Sequence, residues 1–169
     1  MQRPTPWFAL FATALLLGHA ARAEDILHSA QSASVFGPAN PLLARGTEAL
    51  LAGHYEEGVR LTLEGLDQPN SDRDKAAAHS NVCAGYVALK RFQEALEHCN
   101  LALELDRNNW RTFNNRAAAF VGLKKYDLAM TDVNSGLALA PDSETLLKSK
   151  EVVIQHRNSA LRWRRPDKA

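Results

Sequence analysis

The feature that most constrains this chain is that it repeats itself. The stretch "GYVALKRFQEALEHCNLALELDRNN", beginning at Gly85, returns 34 residues later as "AFVGLKKYDLAMTDVNSGLALAPDS". In that register Leu89 matches Leu123, Lys90 matches Lys124, Phe92 matches Tyr126, Ala95 matches Ala129, Leu103 matches Leu137 and Leu105 matches Leu139. A third copy lies upstream, where "LLAGHYEEGVRLTLEGLDQPN" places Tyr55, Gly58 and Gly65 at the positions of Phe92, Ala95 and Ala102. Its offset is 37, and the three extra residues fall in the polar, Pro-containing "QPNSDRDK", a lengthened turn. A period between about 20 and 50 residues marks a solenoid whose units each leave an apolar face for the next to cover.

Each copy holds two apolar stripes at helical spacing. In the second copy these are Val82, Tyr86 and Leu89, then Phe92, Leu96, Cys99 and Leu103, separated by a polar joint at Lys90 and Arg91. This predicts helix, turn, helix. The small residues Cys83 and Ala95, and likewise Ala117 and Ala129, stand where two antiparallel helices cross and a bulky side chain would hold the backbones apart. Tyr55, Phe92 and Tyr126 then fill the wedge beside each turn.

These positions resemble the tetratricopeptide repeat, whose signature runs W-x2-L-G-x2-Y, A-x3-F and P over 34 residues. The units are 39–75, 76–109 and 110–143. Gly46 in the first, Tyr86 in the second, and Phe113, Ala117, Phe120, Ala129 and Pro141 in the third stand at family positions. The resemblance implies an all-α, right-handed superhelical solenoid of three helix-turn-helix repeats. Gly58 and Gly65 replace family alanines, so the second helix of the first unit is expected to lose about 1 kcal/mol at each and to be the softest. Residues 144–163 are expected to form a capping helix, with Asp142 and Ser143 at its start and Leu147, Ile154 and Leu161 on one face. The tail 164–169 is basic.

The chain opens with "MQR", then the apolar "WFALFATALLLG", then "ARA" ahead of Glu24, the three parts of a secretory signal peptide over residues 1–23. The apolar run is short of the roughly 20 residues that span a bilayer, so no stable membrane anchor is expected after cleavage. Residues 24–38 carry no sustained period and read as a flexible lead-in. The expectation is an exported protein, periplasmic or secreted. Cleavage removes Arg3 and Arg22, leaving 18 basic against 19 acidic residues, so nothing draws the chain to nucleic acid. Apolar residues at 46% and charged residues at 23% are the balance of an ordinary soluble fold rather than of a disordered or fibrous chain.

Function in a stacked array resides in the surface that stacking creates. The resemblance implies that the first helices of the units line a concave groove for an extended segment or a partner helix. The groove residues so placed are Thr47, Ser80, Asn81, Arg111, Asn114 and Asn115, a small-residue floor with an amide-rich rim. An asparagine carries both donor and acceptor and so can grip the backbone of a bound chain; the alternative is that these amides are solvated or cap their helices. Arg111 and Arg116 raise a carboxylate reader. Of the two-carboxylate clamp that the family's chaperone-binding members use, Asn81 and Arg111 match, while Leu43, Thr47 and Asn115 stand at the remaining positions. The clamp is incomplete.

His79 and Cys83 are four apart, with His98 and Cys99 on the next helix, a set with metal-ligand spacing. The register sets Cys99 about one turn, ~5.4 Å, out of step with Cys83, on top of a helix separation of ~8–10 Å. A disulfide tolerates about 7 Å between α-carbons, so two buried thiols are expected, with a disulfide or a metal site as the alternatives. No nucleophile motif, glycine-rich phosphate loop or isolated acidic set is present, so the expectation is a non-enzymatic protein-binding scaffold without a cofactor. A structural subunit of an envelope assembly, working through its convex face or basic tail, is the rival.

Overall fold

The computed structural model describes residues 40–163, and the leader, the lead-in and the basic tail lie outside them. Among the described residues there are seven helices: α1 (Pro41–Leu51), α2 (Tyr55–Leu66), α3 (Asp72–Ala88), α4 (Phe92–Leu105), α5 (Trp110–Gly122), α6 (Tyr126–Leu139) and α7 (Glu144–Trp163). The first helices of the pairs begin at side-chain caps. Asn40 Oδ1 accepts from the amides of Leu42 and Leu43 ahead of Pro41, Ser71 Oγ from that of Asp74, and Asn109 Oδ1 from that of Arg111. The cap at Ser71 starts α3 four residues before Ala76.

The turn inside each pair is the same structure built three times. Gly53, Lys90 and Lys124 stand two residues before the aromatic that opens the second helix, and all three have positive φ, 82°, 59° and 59°. In each, the amide of this residue bonds three residues back, Gly53 to Leu50, Lys90 to Val87 and Lys124 to Val121. The next amide bonds five back, His54 to Ala49, Arg91 to Tyr86 and Lys125 to Phe120, at 2.8–2.9 Å. Paired bonds of this kind close a helix through a left-handed residue, which glycine adopts freely and lysine does not.

Helices α1 with α2, α3 with α4 and α5 with α6 pack as pairs. Each second helix also touches the first helix of the following pair, and α7 closes on α6 and α5. The core runs through Val82, Tyr86, Val87, Ala95, Ala117, Ala119, Val121, Ala129, Val133 and Val153, with the half-buried Tyr55, Phe92 and Tyr126 packed on it. The glycines of α2 have a packing reason that propensity alone misses. A Cβ on Gly58 would stand 2.6 Å from Leu50 Cγ, and one on Gly65 2.6 Å from Leu43 Cδ2, so α1 and α2 approach at a distance only glycine permits.

Two expectations are corrected. Cys83 and Cys99 are bonded, with α-carbons 5.3 Å apart, and are not free thiols. The helix spacing used to disfavour the bond belongs to pairs with ordinary side chains; here Cys83 meets a face of α4 where Ala95, Cys99 and Ala102 are all small and buried. The inner face of α7 is also different. Leu147 and Leu161 are exposed, while Leu146, Ser149, Val152 and Val153 are buried. Leu147, Ile154 and Leu161 form an unbroken stripe at seven-residue spacing, whereas the second set is interrupted by Ser149, which selects it by bonding inward to Asn114.

Candidate functional site

Helices α1, α3 and α5 lie side by side, and residues one repeat apart meet across their contacts. The polar groups form a ladder. Asn81 Nδ2 donates to Thr47 Oγ1 at 3.0 Å, and Thr47 Oγ1 donates to its own helix at Leu43 O. One repeat on, Asn115 Nδ2 donates to Ser80 O at 3.3 Å and Thr112 Oγ1 to Ser80 Oγ at 2.9 Å. At the end of the array Ser149 Oγ donates to Asn114 Oδ1 at 2.7 Å, tying α7 to α5. These bonds span 32 to 35 residues, close to one period.

Five of the six sequence-derived groove residues, Thr47, Ser80, Asn81, Asn114 and Asn115, are thus brought together and are buried. They are not an open, solvated rim. The cause is the period itself: it sets the same helical position on neighbouring helices within reach, and a group with donor and acceptor then pairs with its neighbour. Asn115 Oδ1 stays buried without a hydrogen-bond partner. Arg111 stands apart from the ladder at the start of α5, partly exposed, with its guanidinium 4.5 Å from the centre of the Trp110 ring.

Arg116, the other candidate for reading a carboxylate, already holds one. Its Nε and Nη2 grip Asp132 Oδ2 and Oδ1 at 2.8 and 2.7 Å, and its Nη1 reaches Asn100 Oδ1 at 2.8 Å. Sequence reasoning missed Asp132, Thr112 and Ser149. The signal for the first was present, since Asp132 lies beside Val133 in the buried stripe of α6, where a carboxylate requires a partner.

On the α3–α4 pair His79 Nδ1 lies 3.0 Å from His98 Nδ1, with the ring centres 5.2 Å apart, and Tyr86 lies against His98 at 5.6 Å. Burial, and then repulsion from His98, lowers the His79 pKa to about 4; burial also lowers that of His98. Both rings are therefore neutral at pH 7. Among the described residues no three His, Cys, Asp or Glu side chains converge to hold a metal, the cysteines being spent on each other. No described helix is long and apolar enough to cross a membrane.

No family model matches the sequence. Among curated proteins the chain is similar to sperm-associated antigen 1 of Mus musculus, 33% identical over 122 residues, which cover 72% of this chain but only 13% of that protein. Among solved structures it is similar to the first TPR domain of human RPAP3, with 26% identity and a TM-score of 0.65 over 72% of this chain and 93% of that one. The first TPR of Spaghetti, solved bound to the HSP90 peptide SRMEEVD, superposes with a TM-score of 0.63 at 26% identity over 69% of this chain and 93% of that one. Six helices in three consecutive pairs with a seventh packed on the last, the thrice-built left-handed turn and these superpositions agree: the described residues have the tetratricopeptide-repeat fold.

Proposed function

We propose that this protein is an exported scaffold that holds an extended segment or a helix of another protein along α1, α3 and α5. The observation that carries the reading is the likeness to a tetratricopeptide domain solved with a peptide bound, in a chain whose first helices lie side by side in the same order. The partner differs from an acidic chaperone tail. At the clamp positions Leu43 is fully buried and apolar, Asn81 spends its amide on Thr47, and Arg111 alone brings a cation. One arginine does not reproduce a multidentate carboxylate site. A less acidic segment, held through its backbone along the first helices, fits a surface with a single cation at Arg111. The leader and the Cys83–Cys99 bond both favour an oxidising compartment outside the cytosol, periplasmic or extracellular.

The test separates binding from folding. Replacing Asn81 or Asn115 would loosen the repeats as well as the groove, so the informative variant is Arg111→Glu, on a partly exposed residue outside the ladder. The native protein and the variant, matched for helicity by circular dichroism, are used to capture partners from envelope extract, and each is titrated with SRMEEVD and its C-terminal amide. Capture by the native protein that Arg111→Glu abolishes, with SRMEEVD bound no better than its amide, supports the reading. A partner retained by the variant moves the site to the cleft of about 550 Å3 between α6 and α7, lined by Lys124, Lys125, Leu128, Arg157 and Leu161. N-terminal sequencing of the mature chain tests export, with Glu24 expected first.

A further inference from the structure

We infer that His79 and His98 together bind a divalent transition metal, Cu2+ foremost, as two adjacent imidazole ligands across the α3–α4 joint. The rings come from different helices, and their Nδ1 atoms lie 3.0 Å apart. With metal–imidazole bonds of about 2.0–2.1 Å, that separation subtends about 91–97° at a shared ion. This is the angle between neighbouring ligands of a tetragonal Cu2+ centre and is narrower than the tetrahedral angle zinc prefers. With no third protein donor among the described residues, the remaining positions belong to water, which makes the ion exchangeable.

Two further features favour the pair over a lone surface histidine. Both side chains are half-buried, which leaves a path for an ion while restricting the rings. The Cys83–Cys99 bond lies one turn along α3 from His79 and next to His98 on α4, and it fixes the two helices that carry the ligands. One Nδ1–H is shared between the rings before binding. When the ion takes its place, the donor ring shifts its proton to Nε2, both Nδ1 lone pairs go to the metal, and the neutral pair releases no net proton. Both cysteines are already oxidised, so copper finds no thiol to consume.

The experiment is a titration of the oxidised mature protein with CuSO4, followed by calorimetry and by the visible absorption and electron paramagnetic resonance of the bound ion. His79→Gln and His98→Gln retain hydrogen-bonding side chains and are checked by circular dichroism; His54→Gln, at an exposed turn, is the control. One equivalent of Cu2+ with a nitrogen-ligand signature is expected, weakened at least tenfold by either pair variant and unchanged by the control. Equal Cu2+ affinity in the native protein, His79→Gln and His98→Gln overturns the inference, as does a loss caused equally by His54→Gln.

Discussion

Arg116 and Asp132 give the sharpest energetic test of the fold. The Asp132 side chain is 4% exposed and that of Arg116 22%, and the guanidinium joins three helices through Asp132 on α6, Asn100 on α4 and the Phe113 ring on its own helix. Arg116→Met keeps the length and apolar stem of the side chain but leaves a buried carboxylate unpaired, at a cost of about 3–5 kcal/mol. That is a large part of the roughly 5–15 kcal/mol a domain of this size holds. Asp132→Asn removes the charge and keeps a partial hydrogen bond, so it should cost only about 1–2 kcal/mol. Arg116→Met combined with Asp132→Leu removes both charges and should recover most of the loss. Urea unfolding followed by circular dichroism measures all three, with an unchanged slope showing that stability alone has moved. If Arg116→Met costs less than about 1 kcal/mol, the pair behaves as an exposed salt bridge and the burial argument fails.

The left-handed lysines and the disulfide give two further tests. Lys90→Gly and Lys124→Gly should each stabilise the protein by about 1 kcal/mol, because glycine takes positive φ without the penalty a side chain brings; a lower melting temperature in either variant would show that the lysine side chain contributes more than its backbone costs. Cys83 and Cys99 enclose a loop of separation 16, so Cys83→Ser with Cys99→Ser should lower stability by about 3 kcal/mol. Two titratable thiols in the unfolded, unreduced native protein would sink that prediction at once.

What could be read from the sequence was whatever repeats in phase. Gly53, Lys90 and Lys124 lie at one phase of the period and adopt one conformation, so three alignments of apolar residues were enough to give the turns, the pairs and their order. Side-chain partners were harder because the period says which positions meet without saying what they do there. Leu147, Ile154 and Leu161 make a better apolar stripe than Leu146, Ser149 and Val153, yet Ser149 faces inward because Asn114 offers its hydroxyl an acceptor. Arg116 reads as a binding residue until Asp132 is seen across from it. The groove amides show the same ambiguity in its strongest form. A donor and acceptor recurring every 34 residues can bond a ligand or a neighbouring repeat, and here Asn81 and Asn115 bond the repeat before their own. The spacing of the first helices, and with it the curvature of the surface offered to a partner, is therefore set by the same side chains that sequence analysis assigned to the partner. Substituting them changes the shape of the groove before it changes any contact made in it, which is why Arg111, outside the ladder, is the residue through which binding can be probed cleanly.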